Sequence, residues 1–556
     1  MRKRCPDKQM IIQPEATFLS LRFLAFFARQ NNNNQMNKKC MILLFLTLSF
    51  LSVNSRPALF PEGEEEIVTR KYCYVGLTGY QQSLFEGFIS SEFPGWKTVN
   101  QVLTDQASLR NVTRLAQALL FRNKPGDKEN AVEILKWVLK NQHKDEKSEN
   151  YGMWKTNVAN DRLDKNWREF IGCDLIILYN EYQELLPAQL LSDIKDGLIR
   201  AAKGALKRDV GADYTNISIM SAFLMDYVGT SFQIEELKAG GLKKALEIQN
   251  LFQRHQTFSE YNSPTYDGVT LIGLALWREL ASDPLQKMGR ELEKSLWYEI
   301  AGNYHPALKN MVGPYFRGYG MDMTKYYSIT GIWIAVALDQ VKLAPIPLGS
   351  GEKEQEMSNI SPLLHVGLSI PKSALSRLKE FSSADTISRQ IPSKMAGDTL
   401  KQVSAILTPD WMMGALWGNR RSWNQIKSGT IHWKNRSGEI EWLLVPGEGT
   451  TNVRISKTGM QIFRADKKCT AFSVYLYAKD LSEQNFTNKL WKFPSMELTV
   501  RSGLKRNYRK ITDHATLYNE CAISENYPAV MKITFQIPAF WKNEEQLLEI
   551  SPSNSF

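Results

Sequence analysis

The spacing of apolar side chains changes once along this chain of 556 residues, and that change constrains the fold more than any motif. From about residue 103 to 340, apolar residues recur at helical spacing, in segments such as "SLRNVTRLAQALLF" and "FIGCDLIILYNEYQELL". After the Pro-, Gly- and charge-rich stretch "LAPIPLGSGEKEQE", apolar residues recur at every second position, as in "GEIEWLLVP" and "MELTVRSG". That period predicts strands. Helices followed by strands favour an α+β chain with separate helical and β domains.

The helical half predicts a ring of helix pairs. About nine helical segments follow one another through short links with Gly, Pro and Asn, and no fixed repeat length is visible. Stacked hairpins without a regular repeat favour an incomplete α/α toroid over a solenoid. The alternating segments that follow predict an antiparallel, sandwich-like β domain. The expected domains are the toroid at residues 56–345, a linker at 346–356 and the β domain at 357–556.

The start of the chain predicts export. Lys38 and Lys39 form a basic start, an apolar run follows from Met41 to Leu51, and small residues come next. That order is typical of a secretory signal peptide, and the apolar run is too short to span a membrane. We therefore expect a secreted or periplasmic mature protein. The expected segments are an upstream extension at residues 1–35, from a misassigned start codon, and a signal peptide at 36–55.

Charge and motif content argue against several classes of protein. The formal net charge is +11, but more than half of it falls within residues 1–55, and no basic cluster predicts a nucleic-acid interface. Gly-rich phosphate loops, GxSxG elbows and HExxH helices are absent, and the six histidines are scattered. We therefore expect no cofactor and no metal. Acids near "SEYNSPTYDG" are compatible with a calcium ion but do not require one, and nothing indicates the oligomeric state.

Asparagine, tyrosine, histidine and arginine recur near the predicted helix ends, in "DKNWREFIG", "DYTNIS", "RHQTFSEYNSPTYDG" and "NYHPALKNMVGPYFRGYGMDMTKYY". The β half adds "WMMGALWGNRRSWNQ". These residue types fit β-elimination from a uronic acid, in which amides and an arginine fork stabilise charge that develops on the carboxylate. The candidate catalytic residues are His305, Tyr266, Tyr319, Arg317 and His255. The candidate substrate-binding residues are Asn216, Asn262, Tyr261, Asn166, Trp167, Trp417, Arg420 and Trp423.

Each step of an elimination can be assigned to one of the candidate catalytic residues. Arg317 would hold the uronate carboxylate bidentately. Tyr266 or Tyr319 would protonate the departing glycosidic oxygen. His305 would remove the C5 proton, with His255 as the rival base.

Three motifs carry a resemblance to a known group of enzymes. "NWREFIG", "EYNSPTYDGVTL" and "GPYFRGYGMDM", ahead of a β-rich half, resemble the secreted polysaccharide lyases with an α/α toroid and an antiparallel sheet domain. The last two look closest to the rhamnose–glucuronate lyase family, which removes rhamnose caps from arabinogalactan side chains. Chondroitin and hyaluronate lyases line their cleft with Asn, His, Tyr and Arg in chain order, and Asn216, His255, Tyr266 and Arg317 share that order. The resemblance implies eliminative cleavage beside a glucuronate in an acidic oligo- or polysaccharide, without a redox cofactor.

Two other functions remain open on the sequence. A glycoside hydrolase with the same toroid would need two carboxylates across the bond, and Glu260, Asp267 or Asp322 could supply them. A non-catalytic glycan-binding protein would instead use Trp417 and Trp423 as stacking surfaces. The same residue types also serve ordinary structural roles as helix caps, core side chains and hydrogen-bonded loop residues.

Overall fold

The computed structural model describes residues 65–95, 97–159, 163–392, 400–457 and 459–553. The predicted upstream extension and signal peptide lie outside these ranges. No helix within them combines the length and apolar character that crossing a membrane would require.

The first half of the described chain is helical. Its helices, with three shorter ones that follow residue 357, are α1 (Gly79–Glu92), α2 (Val99–Val102), α3 (Leu109–Arg122), α4 (Asp127–Lys140), α5 (Trp167–Glu181), α6 (Ala188–Arg208), α7 (Thr215–Ser231), α8 (Glu235–His255), α9 (Tyr266–Leu280), α10 (Asp283–Asn303), α11 (Ile329–Leu338), α12 (Ile360–Val366), α13 (Lys372–Lys379) and α14 (His514–Cys521).

These helices form an inner and an outer layer. The inner row, α3, α5, α7, α9 and α11, is buried on nearly all faces; every residue of α7 from Thr215 to Gly229 is buried. The outer helices α4, α6, α8 and α10 bury one stripe each, and each packs against the inner helix before it. Helix α12 contacts α3 at one end of the row and α9 and α11 at the other, so the row is curved. The predicted incomplete α/α toroid is confirmed.

The direction of the inner helices decides where polar side chains meet. Because each inner helix is followed by an antiparallel outer one, the inner helices run the same way and their N-termini share one rim. Residues at the starts of α5, α7 and α9, among them Asn166, Asn216 and Tyr266, therefore line one pocket at that rim. Candidate site residues that lie far apart in the sequence thus come together because the inner helices run in the same direction.

The second half consists of antiparallel strands. They are β5 (Asp385–Ile391), β6 (Lys401–Leu407), β7 (Trp411–Trp417), β8 (Lys427–Lys434), β9 (Ile440–Pro446), β10 (Thr451–Ile455), β11 (Met460–Arg464), β12 (Ala471–Tyr477), β13 (Leu490–Phe493), β14 (Met496–Arg501), β15 (Lys505–Ile511), β16 (Val530–Gln536) and β17 (Gln546–Ser553). The shorter strands that precede them are β1 (Ile67–Arg70), β2 (Tyr304–His305), β3 (Asn310–Met311) and β4 (Leu368–Pro371).

Two sheets enclose the core of this half. The large sheet has the order β15-β16-β12-β9-β8-β7-β6-β5, and the small one has the order β10-β11-β17-β14-β13. Alternate side chains of both sheets, such as Trp433, Leu476, Trp491 and Phe535, pack into one buried cluster. The structure therefore confirms the predicted antiparallel, sandwich-like domain.

The chain between the two halves is helical beyond the expected start of the β domain at residue 357. Helix α12 packs within the ring, and β5, the first strand of the large sheet, begins only at Asp385. Strand β4 returns to pair with β1, which precedes the first helix. The chain just before the ring is therefore fastened to the chain just after it.

The segment between α10 and α11 leaves the ring and lies on the large sheet. It begins with the hairpin β2–β3, and Tyr315 then exchanges backbone hydrogen bonds with Lys427 of β8. Gly414 of β7 lies directly under Gly313, where a Cβ would overlap the Gly313 carbonyl. Only glycine permits this approach, so the sequence of the sheet is adapted to carry the segment.

Candidate functional site

A cleft separates the ring from the large sheet, and the described residues that line it include three basic side chains and two acidic ones, Asp213 and Glu260. This basic cleft has a volume of about 690 Å³ and receives Glu260 and Arg317 from the helical half. The sheet side contributes Lys401, Arg421 and Trp423. An adjoining pocket of about 400 Å³ shares Tyr214 and Arg317 with the cleft. We call it the tyrosine pocket because six tyrosines line it: Tyr214, Tyr266, Tyr319, Tyr326, Tyr327 and Tyr518.

Arg317 stands between the two spaces and is firmly positioned. Its Nη1 donates to Oε1 of Glu260 at 2.8 Å, and its Nε donates to Gln425 at 3.3 Å. The guanidinium stacks on Tyr266, 3.5 Å from the ring centroid, and Trp423 lies on another side at 5.3 Å. Burial lowers the pKa of Arg317. The larger combined effect of Tyr266 and Glu260 raises that pKa above its ordinary value. A permanent cation is thus fixed against a tyrosine.

The hydroxyls of Tyr266 and Tyr319 lie 3.2 Å apart, within hydrogen-bonding distance. Burial raises the pKa of Tyr266 well above its ordinary value although Arg317 acts in the opposite direction, so this hydroxyl keeps its proton. Tyr319 is half-buried, and the Lys353 ammonium lies 4.9 Å from its ring centroid. Each of the two tyrosine rings therefore has a cation close to it.

Asn216 and Glu260 form a hydrogen-bonded chain that ends at Arg317. The backbone N–H and the side-chain amide of Asn216 both donate to Oε2 of Glu260, the backbone group at 3.0 Å. Oε1 of Glu260 accepts from Arg317. Because both carboxylate oxygens have donors, Glu260 orients the guanidinium and is badly suited to be the acid of a hydrolase. The amide nitrogen that we expected Asn216 to offer a substrate is used within the protein.

Two further predicted residues lie at the tyrosine pocket. The amide of Asn166 donates to the Tyr214 hydroxyl at 3.0 Å and its oxygen accepts from Arg208 at 2.8 Å. Trp167 follows it at the start of α5 and also lines the pocket. Arg110 lies 5.7 Å from the Trp167 ring.

The structure places both predicted bases away from the hydroxyl pair. His305 is fully buried in the β2–β3 hairpin, where its Nε2 contacts the Thr408 carbonyl at 2.7 Å and its Nδ1 accepts from the Leu308 N–H. Its ring stacks on Phe381. His255 ends the outer helix α8, and it lines neither the basic cleft nor the tyrosine pocket. With both ring nitrogens occupied, His305 supports the hairpin instead of facing a substrate.

Tyr261 and Asn262 act beneath the site. Tyr261 is buried, and its hydroxyl contacts Asn303 at 3.4 Å. Asn262 adopts a left-handed conformation (φ 51°), and its amide donates to the carbonyls of Val312 and Pro314. Both were expected to contact substrate, but they hold the segment that carries Arg317.

Trp417 and Arg420 lie outside the cleft and the pocket as well. Trp417 contacts Phe463 and lines a separate groove of the β half. Arg420 is exposed and donates to Asn452 at 3.0 Å. Of the three residues predicted from the "WGNRRSW" segment, only Trp423 reaches the basic cleft.

The carboxylates expected of a hydrolase do not form a facing pair. Asp267 is buried at the start of α9, where it accepts from the Ser263 N–H, and burial raises its pKa well above the ordinary value. Asp322 is buried in the loop and accepts from Thr324. Neither lines the basic cleft or the tyrosine pocket.

Sequence reasoning missed Lys353, Gln425 and Tyr518. Lys353 belongs to the stretch interpreted as a linker, and its ammonium also reaches the Tyr518 hydroxyl at 3.5 Å. Tyr518 is on the short helix α14 of the β half. No local pattern marks either residue, because they reach the pocket only through long-range packing.

Comparisons with known proteins add a family match and distant likenesses in fold. Residues 96–366 match a family model described as a domain of unknown function (DUF8769). No curated protein matches the chain. The crystal structure of heparinase III is 9% identical over 89% of this chain and 88% of that chain, with a TM-score of 0.43. The chondroitin AC lyase of Streptomyces coelicolor A3, in complex with chondroitin sulphate, is 11% identical over 86% and 80%, with a TM-score of 0.44. Similarity at this level says nothing about substrate or catalytic residues.

Proposed function

We propose that this protein is a polysaccharide lyase that cleaves the glycosidic bond to a uronic acid by β-elimination. The observation that carries the proposal is the pair of contacting hydroxyls of Tyr266 and Tyr319, with Arg317 stacked on the first ring and Lys353 near the second. Elimination needs one group that accepts a proton, one that donates a proton, and fixed positive charge for a carboxylate. All three needs are met at the boundary between the cleft and the pocket.

Arg317 would hold the uronate carboxylate. Its planar fork suits a carboxylate, and its contacts with Glu260 and Gln425 fix its orientation before the substrate arrives. As the C5 proton leaves, negative charge moves onto the carboxylate oxygens. A cation already in place stabilises that charge without reorganisation.

The two tyrosines would divide the proton transfers. Tyr319, whose ring lies beside Lys353, removes the C5 proton, and the C5 electron pair forms the C4–C5 double bond while the C4–O bond breaks. Tyr266, which burial keeps protonated, gives its proton to the departing oxygen. Transfer of the captured proton from Tyr319 to Tyr266 across the 3.2 Å contact then restores both groups. These reaction steps move only protons and an electron pair, so the reaction requires no redox cofactor.

A finer form of the proposal names the substrate. The motifs "EYNSPTYDGVTL" and "GPYFRGYGMDM" resemble the rhamnose–glucuronate lyases, so rhamnose-capped glucuronate of arabinogalactan is our first choice. The cations of the basic cleft, Lys401 and Arg421 with Arg317, suit an acidic glycan of this kind. Action on such a glycan agrees with the export that the N-terminal residues predict.

The test is ultraviolet absorbance of the unsaturated uronic acid, which elimination produces and hydrolysis does not. Gum arabic, an acidic arabinogalactan, and a glucuronate polymer without rhamnose should be compared as substrates. Faster absorbance gain with the first supports the finer proposal, and gain with the second alone contradicts it. New reducing ends without absorbance would indicate a hydrolase, and binding without any product would indicate a glycan-binding protein.

Variants connect the activity to the hydroxyl pair. Tyr319→Phe and Tyr266→Phe should each lower kcat by about 100-fold or more, because proton transfer by a positioned side chain contributes roughly 10²–10⁴-fold. Tyr508→Phe is the matched control, since Tyr508 is a half-buried tyrosine on β15 outside both spaces. Equal melting temperatures would show that the variants fold. Full activity in both pocket variants would refute the assignment.

A further inference from the structure

A groove on the β half lies apart from the basic cleft. It has a volume of about 740 Å³ and is lined by strands β5 and β6 of the large sheet and by β10 of the small sheet. Strand β5 is the last strand of the large sheet, and β10 is the first of the small one, so edges of both sheets meet here. The Ile455 N–H donates to the Ser404 hydroxyl across the groove. We call this space the sheet groove.

The side chains of the sheet groove suit an anionic sugar chain. Arg454 and Lys457 are exposed, and none of the described residues that line the groove is acidic. Trp417 presents a half-buried ring beside them. Hydroxyl or amide groups come from Thr386, Ser388, Gln402, Ser404 and Ser456. Cations for carboxylates, an aromatic surface and short polar groups for hydroxyls together match a uronate-bearing glycan.

Among the described residues, no acidic side chain pairs with Arg454. Its Nε donates to Gln461 at 3.0 Å, and its guanidinium lies 4.4 Å from the Phe463 ring centroid and 5.9 Å from that of Trp417. Neither contact neutralises the charge, so the cation is positioned for an anion that comes from outside. Two cations and one ring are a small footprint for a nucleic acid, whose binding depends on many phosphate contacts.

The alternation of β6 separates this groove from the basic cleft. Lys401 lines the cleft, whereas the next residue, Gln402, lines the groove. Because successive side chains of a strand point to opposite faces, the two spaces lie on opposite faces of the sheet. A sugar bound in the groove is therefore not the sugar that undergoes cleavage.

We infer that the sheet groove is a second, non-catalytic binding site for an anionic, uronate-bearing glycan. It would hold a polymer on the β half while another part of the same or a neighbouring chain enters the cleft. The inference rests on the chemistry of the groove and does not depend on the elimination mechanism.

Affinity electrophoresis of the full chain tests this site. Gum arabic serves as the anionic glycan and dextran as the neutral control, and the Tyr319→Phe background prevents consumption of the glycan. Adding Arg454→Ala with Lys457→Ala should weaken the retardation by gum arabic at least fivefold. The matched control is Lys505→Ala with Arg506→Ala, which removes two neighbouring cations from β15, at the opposite edge of the large sheet.

Four results would overturn the inference. The first is unchanged retardation of the Arg454 and Lys457 variant, the second is an equal loss in the control variant, and the third is equal retardation by dextran. Stronger competition by a DNA oligonucleotide than by glucuronate oligosaccharides would also contradict it, since it would assign the groove to a different polyanion. The readout is binding, so a protein that lacks elimination activity but passes this test would contradict only the proposed function.

Discussion

Replacing Arg317 with lysine tests whether the geometry of the cation matters beyond its charge. A lysine keeps one positive charge and can still pair with Glu260. It loses the Nε hydrogen bond to Gln425 and the flat stack on Tyr266, whose centroid lies 3.5 Å from the guanidinium. It also cannot offer two parallel N–H groups to a carboxylate.

The expected loss follows from these contacts. A hydrogen bond contributes about 0.5–1.5 kcal/mol, and a partly desolvated cation–π contact contributes about 0.5–2 kcal/mol, of which lysine keeps a part. The side chain of Arg317 is only 11% exposed, so little solvent screening reduces these values. A total of about 1–3 kcal/mol corresponds to a decrease in kcat/KM of roughly 5- to 150-fold.

The assay is the rate of ultraviolet absorbance gain on an acidic glycan, measured with the melting temperature of each protein. Arg421→Lys is the matched control, because Arg421 lines the same cleft, is exposed, and stacks on Trp423 at 4.1 Å. We expect it to stay within threefold of the unaltered protein. The role of the planar fork would be refuted if the activity of Arg317→Lys stayed within threefold of the unaltered protein. An equal loss of activity in Arg317→Lys and Arg421→Lys would also refute it.

Three further outcomes are expected. Burial raises the pKa of Glu525 to about 7 from 4.5, so its stabilising contribution is complete below pH 4.5 and is lost as the pH rises through 7. In urea unfolding, the loss between pH 4.5 and pH 7 should be about 3 kcal/mol larger in the unaltered protein than in Glu525→Gln. Gly320→Ala should lower both melting temperature and activity, because a Cβ would lie 2.6 Å from the Glu525 carboxylate. Lys353→Met should reduce kcat more than Tyr518→Phe does, because only Lys353 supplies charge beside Tyr319.

The layered helical fold was predictable because its cause is local. An inner helix such as α7 carries apolar residues on every face, whereas an outer one such as α6 carries them on one stripe, and both patterns are visible in the sequence. Helix direction then brought Asn166, Asn216 and Tyr266 to one rim without any further information. Tyr266 and Arg317, which the sequence analysis assigns to steps of one elimination, are in contact in the structure.

The rest of the site depends on contacts that no local pattern records. His305 is a plausible base by residue type, but the β2–β3 hairpin turns its ring to the Thr408 carbonyl, more than a hundred positions away along the chain. Lys353 reaches Tyr319 from the stretch between the two halves, and Gln425 reaches Arg317 from the β half. Residue type predicted the chemistry, whereas the fold decided which residue of each type is available.

The β half completes the site by holding the segment that carries it. Glu525 accepts from the N–H groups of Met321 and Asp322 at 2.6 and 2.7 Å, and the Ser524 N–H donates to the Tyr319 carbonyl at 2.8 Å. A buried loop must have its backbone groups satisfied, and here the partners come from a different domain. The position of the Tyr319 hydroxyl relative to Tyr266 is therefore a property of the interface between the ring and the sheets. A toroid without its sheet domain would keep the tyrosines and lose the 3.2 Å contact on which the proposed proton transfers depend.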